Sequence, residues 1–453
     1  MHNIKYWLLF SLPLFLGLQL AVTSCSGEKS SDDEIISISP KKKTLTLKVG
    51  TTFPLALTTV SSSGSVADYD LEKNELGLEF SSSDTNVATV SGNGTVTAVR
   101  RGQATITVSN STMRCVIGCT VERVGDIYDP SKKWSDDMAF FCSSLGGFTD
   151  AQCFDIDSKG NIWHAATKLR GEVGYLTIIK SSPDGKILGE MPLYYAGHGQ
   201  VFSIEEAPDG EFVWISNCGS VASDGRGYGT STMGSRIKFE PGVGKTPDDV
   251  ASTSFAISGT KSVNVSIDRI TGNVAYSYYK DNSNITINVY KKEAILGAPM
   301  KEMSFNVTRG SSMTGQITDS KPVTVKLTVH DLGALSPLYS FTVARTEVFG
   351  KTSAGKLKRD QGFCFYDGCC YFVGDSNGSL RDADISCVKL DGTVVKAPAH
   401  IDAISDPEPL LKCGFGVSSG YFESEGVQIV DDKLHVGFLC WDSTCQNSIL
   451  RLK

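Results

Sequence analysis

The sequence predicts an all-β protein built from two successive β-units. Three observations carry this expectation. Helical periodicity is scarce along the whole chain. Short stretches of alternating polar and apolar residues, bounded by turn dipeptides, recur throughout. One strand–turn–strand pattern also repeats five times between residues 132 and 453. The 453 residues are enough for two or three domains at about 150 residues each.

In chain order, the first element is a leader. Lys5 is the only charge in residues 1–24, and Tyr6 to Leu20 is almost wholly apolar. That run is short for a membrane span, which needs about 20 apolar residues, but it suits the core of a signal peptide. It ends in Val22-Thr23-Ser24-Cys25, which resembles the lipobox of bacterial lipoproteins. The resemblance implies lipidation at Cys25 and anchoring in the outer membrane. Residues 25–34 are polar and acidic, as expected of a flexible tether. They are similar to the surface-export tethers of lipoproteins in Gram-negative gut commensals. Cell-surface display and a periplasm-facing anchor both remain open at this point.

Charge narrows the choice of partner. The chain has 43 basic residues, one of them Lys5, and 50 acidic ones, so cleavage after residue 24 leaves 42 against 50 and a net charge of −8. No long Lys/Arg block occurs, and nucleic acid is not an expected partner. Twelve cysteines follow Cys25. Export permits disulfides, and Cys440 with Cys445, or Cys115 with another strand, are candidate pairs. Cys153, Cys364 and Cys387 fall in apolar strand-like runs, where a thiol acts as a small hydrophobe. No paired C-x-x-C knuckle is present, so no metal site of that type is expected.

Residues 35–124 read as the first β-unit, and 125–131 as a linker. Strands are expected at Thr44 to Val49, Phe53 to Thr59, Leu78 to Ser83, Val87 to Val90, Thr95 to Val99 and Ala104 to Val108. Asn93-Gly94 is a strong two-residue hairpin signal, because both positions tolerate positive φ. Together these residues closely resemble the bacterial Ig-like group 2 domain, a small β-sandwich, with Phe80 where that family usually has Trp. The resemblance implies a spacer for display, not chemistry.

Residues 132–453 form the second unit. Five segments, beginning at Gln152, Gln200, Lys261, Gln361 and Glu425, each open with a polar residue and then alternate apolar positions. Each leads through a tight turn into a second apolar strand, and a third strand often follows. Radial repetition of such a unit protects sheet edges, which predicts a β-propeller with five blades. The chain stops at the third strand of its last unit, so Met138 to Cys142 is expected to supply the missing outer strand and latch the ends together. The long spacing after the third unit predicts an insertion around residues 305–350.

The motif Gln152-x-Phe154, Gly160-Asn161-x-Trp163 and Gly197-His198-Gly199 is similar to the propellers of phage receptor-binding, teichoic-acid-biosynthesis-type and helveticin-like proteins. Those relatives, where a role is known, engage cell-surface glycopolymers. From the repeat itself, Gln152, Gln200, Gln361 and Glu425 occupy equivalent strand starts and are expected to ring one channel mouth. There they either bond sugar hydroxyls or satisfy backbone groups and channel water. His198 and Trp163 complete the candidate ligand-binding set.

Catalytic signatures are missing: the sequence contains no H-E-x-x-H, G-x-S-x-G or Walker-type loop. Glu205-Glu206 and Glu423 with Glu425 offer carboxylate pairs for glycoside chemistry. Asp155-x-Asp157-x-x-Gly160 and Asp375-x-Asn377-Gly378-Ser379 faintly resemble calcium loops, although turn chemistry explains the same residues. The expected function is a surface lipoprotein that binds a glycan or cell-surface polymer without catalysis, with no cofactor and no metal. A glycan-active enzyme and a protein-binding subunit of an envelope complex are the alternatives.

Overall fold

The computed structural model describes residues 33–123, 127, 134–142, 150–167, 175–194, 196–219, 230–307, 323–376, 382–401, 421–441 and 445–452. The leader, Cys25 and Asn377 to Ser379 lie outside the described residues. Two compact units divide between Glu122 and Arg123.

The first unit contains three sheets. One joins Ile35–Pro40, Leu57–Ser61 and Val66–Tyr69, and a small one joins Thr52–Pro54, Thr95–Ala98 and Ala88–Val90. The third orders Thr44–Lys48, Arg114–Glu122, Gly102–Ser109 and Glu79–Ser82, and its first pair is parallel. Strict alternation drives the packing: in Thr44–Lys48 only Leu45 and Leu47 are buried, and they join Leu57, Val96, Ile106, Val108, Ile117 and Val121 in one core. A turn joins Ala88–Val90 to Thr95–Ala98, but not the two-residue type expected: Gly94 N donates to the Ser91 carbonyl oxygen (2.9 Å), and Gly94, at φ +76°, takes the positive φ without Asn93. Phe80 packs on the edge of that core. The fold begins inside the stretch read as tether, because Asp33 accepts hydrogen bonds from Ser63 N (3.0 Å) and Ser63 Oγ (2.9 Å).

Among the described residues the second unit contains five antiparallel sheets of four strands, one of which is extended. The first runs Asp150–Ile156, Ile162–Thr167, Tyr175–Ser181, Ile187–Tyr194. The second opens with Phe202–Ala207, Gly210–Asn217, Met233–Lys238 and Ser254–Ala256. The third is Asn264–Ile267, Asn273–Tyr279, Asn284–Lys291 and Tyr339–Ala344, and the fourth is Arg359–Tyr366, Cys369–Asp375, Ala383–Lys389 and Val394–His400. The fifth takes Tyr421–Val430, Lys433–Trp441 and Cys445–Leu452, and adds Trp134–Cys142 from the start of the unit. That last strand pairs antiparallel with Cys445–Leu452, so the first and last strands of the unit share one sheet.

Local chemistry sets the turns inside each sheet. Asp367-Gly368 and Asp431-Asp432 hold positive φ at both central positions, the backbone that matches the twist of a two-residue hairpin. The first strands of the five sheets touch one another in cyclic order, first to second and onward to the fifth, which touches the first again. Apolar clusters fill the spaces between neighbouring sheets. Ile178 and Leu193 meet Ile204 and Ile215, Trp214 and Phe255 meet Val265 and Tyr276, and Ile287 and Val343 meet Phe363 and Phe372. Val373 and Ile385 meet Val427 and Val436, and Ile449 meets Phe154 and Ile162.

The insertion differs from expectation. It is the hairpin Met300–Val307 with Val323–Asp331, which extends the second sheet through a parallel pairing with Ser254–Ala256. Tyr339–Ala344, expected within the insertion, is instead the fourth strand of the third sheet, paired with Asn284–Lys291. Alternation explains the hairpin's placement. Met303, Phe305, Val307, Leu327 and Val329 face the core with Cys218 and Met233, while Glu302, Ser304 and Asn306 are exposed.

Candidate functional site

Three of the first strands carry the same irregularity. Register shifts fall between Ala151 and Cys153, between Asp360 and Phe363, and between Ser424 and Val427. These are β-bulges, which bend a strand and redirect a side chain. The bulged residues include Gln152, Gln361 and Glu425, three of the polar strand starts singled out in the sequence. Gln200 and Lys261, their counterparts in the other two sheets, lie just before Phe202–Ala207 and Asn264–Ile267.

Glycines after the polar residues let the backbones close in. A Cβ on Gly362 would lie 2.6 Å from the Gln200 carbonyl oxygen and 3.6 Å from Gly426 Cα, and one on Gly426 would lie 3.3 Å from Cys153 Cα. Four strand starts thus converge at this level. The polar residues sit in that packing: Gln152, Gln361 and Glu425 are 4%, 3% and 5% exposed, and Gln200 and His198 are half-buried.

An ion network organises this end of the strands. Arg359 Nε and Nη2 donate to Asp375 Oδ1 (2.9 and 2.7 Å), and Nη2 also lies 2.8 Å from Glu423 Oε1. Gln361 Nε2 donates to Asp375 Oδ2 (3.0 Å) and Glu423 Oε1 (2.5 Å). Ser424 N donates to Asp375 Oδ2 (3.1 Å), and Gln200 Nε2 to the Asp360 carbonyl oxygen (2.7 Å). Asp360 accepts from Gly362 N (3.0 Å) and Tyr279 OH (3.0 Å), and Arg345 Nη2 donates to the same tyrosine oxygen (2.9 Å). Burial raises the Asp360 pKa against the pull of these partners. Burial, with the nearby Arg359 guanidinium, lowers that of His198 to about 4, so its imidazole is neutral at pH 7. The side chain of Arg359 is 41% exposed, more open than its partners Asp375 (4%) and Glu423 (13%).

Several sequence candidates have other employment. Trp163 is fully buried; its Nε1 donates to Asp157 Oδ2 (3.1 Å) and its ring packs edge-on against Phe239. It therefore has no face to offer a sugar, because its apolar neighbours enclose the ring in the core of the first two sheets. Glu205 is held by Arg236, Lys292 and Trp214, and Glu206 by Ser158. The calcium-like run is a turn. Asp157 accepts from Lys159 N (3.0 Å), Asn161 N (2.9 Å) and Asn161 Nδ2 (2.9 Å), while Asp155 accepts from Ile204 N (2.8 Å) and pairs with Arg269. Asp157→Ala is expected to cost about 2–4 kcal/mol through four lost acceptor contacts. Urea unfolding measures this, and added calcium should leave the wild-type midpoint unchanged.

One further constellation escaped the sequence reading. Asp382, Asp384 and His400 bring three ligand-type atoms within 4.8 Å. The buried ammonium of Lys358 already lies 2.5 Å from Asp382 and 2.8 Å from Asp384, supplying the cation that these carboxylates need. Arg359 was missed as well, while Asp375 and Glu423 were noted only within a calcium-like run and a carboxylate pair. The only available signal was Lys358-Arg359-Asp360-Gln361, a charged run opening an otherwise apolar strand. The thiols of Cys115, Cys119, Cys153, Cys218, Cys364, Cys370 and Cys387 form no disulfide, so the pairing considered for Cys115 is not formed. The side chains of Cys440 and Cys445, the other candidate pair, lie outside the described residues.

Known proteins align with the two units to different degrees. Residues 35–113 match the bacterial Ig-like domain (group 2). No curated protein sequence matches the chain. Among solved structures, the tail fibre of Staphylococcus aureus phage P68 is similar at 10% identity and a TM-score of 0.45, over 72% of this chain and 53% of the fibre. The chain therefore spans about half the length of that fibre. Domains 5–6 of the S-layer protein SbsC align at 14% identity and a TM-score of 0.18, covering 66% of this chain and 99% of theirs. The SGBP-B protein of the Bacteroides ovatus mixed-linkage glucan utilization locus, solved with a mixed-linkage heptasaccharide, aligns at 12% identity and a TM-score of 0.17, over 95% and 98%. Among the described residues no helix is long and apolar enough to cross a membrane.

Proposed function

We propose that this protein is a surface-displayed, lipid-anchored binding module: Cys25 carries the lipid, the Ig-like domain acts as spacer, and the second unit is a five-bladed β-propeller that binds a glycan without catalysis. The cyclic contacts of the five first strands, and the strand shared between the two ends of the unit, support the propeller reading. The leader ending in Val22-Thr23-Ser24-Cys25 supports the anchor.

One observation carries the binding site. Three first strands bulge at their polar residue, and the backbones of four sheets converge beside those bulges. Bulges of this kind cluster next to functional sites. Gln152, Gln361 and Glu425 form the floor, and Gln200, His198 and Arg359 form the accessible rim. A sugar is suited to such a rim because it offers several hydroxyls that both donate and accept.

A glycan array probed with the full-length protein tests this reading. Binding is expected, and the double variant His198→Ala with Gln200→Ala should weaken it at least tenfold while leaving the thermal midpoint within a few degrees. Undiminished binding by that variant would move the site elsewhere.

A further inference from the structure

Two thiols meet on the second and third strands of the fourth sheet, away from the polar strand starts. In that ladder Cys369 lies opposite Lys389 and Tyr371 opposite Cys387, so Cys369, Tyr371 and Cys387 project from one face. The Cys387 thiol donates a hydrogen bond to Cys369 Sγ, and Cys387 Sγ accepts one from the Tyr371 hydroxyl. Cys387 and Tyr371 are 5% and 2% exposed. Cys369, next to the Asp367-Gly368 turn, is only half-buried, so the pair reaches solvent through it.

A buried cysteine by itself acts as a small hydrophobe. Cys364 and Cys370 fit that role, each in an apolar cluster on one side of the same sheet. Cys369 and Cys387 differ because their sulfurs share a proton. The hydrogen bond with Cys369, and then burial, hold that proton on Cys387 and push its pKa well up. Two thiolates side by side would repel each other, and a cation placed between them removes the repulsion. The ligand count selects the cation. Among the described residues no further thiol, imidazole or carboxylate completes a group of three with this pair within 4.8 Å. Cys364 shares the row of Cys387 but stands beyond Tyr371, two strand spacings or about 10 Å away. Structural zinc takes four protein ligands. Thiolates favour soft ions such as Cu(I), which binds two of them in a line. The positions are also diagonal across the ladder, with Cα atoms about 7–8 Å apart. A disulfide spans roughly 4.4–6.8 Å, and a sulfur–metal–sulfur bridge is longer.

We propose that Cys369 and Cys387 form a two-coordinate thiolate site for Cu(I). Binding breaks both S–H bonds, forms two Cu–S bonds and releases two protons, with no change in oxidation state. The product carries one net negative charge. The Tyr371 hydroxyl stabilises it by its hydrogen bond to Cys387 Sγ. The Arg123 guanidinium, paired with Asp367 at 2.8 Å, acts electrostatically on that hydroxyl and adds a positive charge nearby.

The test titrates reduced full-length protein, under nitrogen, against Cu(I) held as its bicinchoninate complex. The wild type should withdraw at least one tightly held equivalent. Cys369→Ser and Cys387→Ser should each weaken the tightest site by about a hundredfold or more, whereas Cys115→Ser, in the first unit, should leave it unchanged. Copper-edge X-ray absorption of the one-equivalent complex should show two sulfur neighbours, and excess Zn(II) should not displace the copper. Undiminished binding in Cys369→Ser overturns the inference, and so does a centre with three or more ligands or one that zinc displaces. A Cys369–Cys387 disulfide in the protein as isolated also overturns it, making the pair a covalent staple. Cys369 is half-exposed, so its serine variant decides the matter even if Cys387→Ser fails to fold.

Discussion

Gly362→Ala is expected to destabilise the second unit by about 3 kcal/mol or more, one of the two largest effects among the substitutions considered. Gly362 holds φ +117°, a region that side chains rarely enter, and forcing a non-glycine residue there costs about 1–3 kcal/mol. The new Cβ would also lie 2.6 Å from the Gln200 carbonyl oxygen. That atom belongs to backbone whose own side chain is tied to the Asp360 carbonyl, so it cannot swing aside as the tip of a lysine would. Overpacking of this kind adds about 1–3 kcal/mol. Urea unfolding of the full-length protein reads the sum. A loss below about 1 kcal/mol would mean that the strand starts separate easily, and the convergence that shapes the candidate site would lose its physical basis.

That contact also marks the limit of what the sequence could reveal. Alternation in Thr44 to Val49 and in the five repeated segments is a local property, written in the order of side chains, and it led directly to strands. The turn pairs at Asp367-Gly368 and Asp431-Asp432 were legible for the same reason: their backbone demands are met by the residues themselves. The shared edge strand was legible because the last repeat lacked a partner and Met138 to Cys142 resembled the missing one.

Long-range pairing was not legible. Tyr339–Ala344 pairs with a strand that ends 48 residues earlier in sequence, and the hairpin between them joins another sheet. No periodicity announces such a detour. The polar strand starts were found as residues, but their burial was not foreseen, because bulges depend on how neighbouring strands register. Trp163 looks like a ligand-binding candidate for a related reason: an indole at the start of a strand reads alike whether its face meets solvent or Phe239. Ion pairs such as Arg359 with Asp375 unite residues 16 apart, a spacing with no meaning outside the hairpin that brings them together.

Glu205→Ala is the second substitution with a large expected effect, about 3–5 kcal/mol at pH 7. The side chain of Glu205 is 9% exposed and binds Arg236 Nε (2.7 Å), Lys292 Nζ (2.8 Å) and Trp214 Nε1 (2.7 Å). Arg236 also stacks over the Phe212 ring. Removing the carboxylate strands a largely buried guanidinium, and breaking one partner of a buried ion pair costs far more than the intact pair contributes. Glu205→Gln keeps an acceptor for the indole and should lose roughly half as much. The pH dependence follows from the depressed carboxyl pKa: burial would raise it, but Arg236, Lys292 and Trp214 outweigh burial and lower it. A depressed carboxylate contributes stability above its unfolded pKa of about 4.3, and that contribution is lost as pH falls through the lower folded value. The stability gap between wild type and Glu205→Gln should therefore be full at pH 7 and narrow progressively below about pH 4. Urea titrations at several pH values measure it. A gap that stays constant into acid would show that Glu205 acts through packing alone, with its charge contributing nothing.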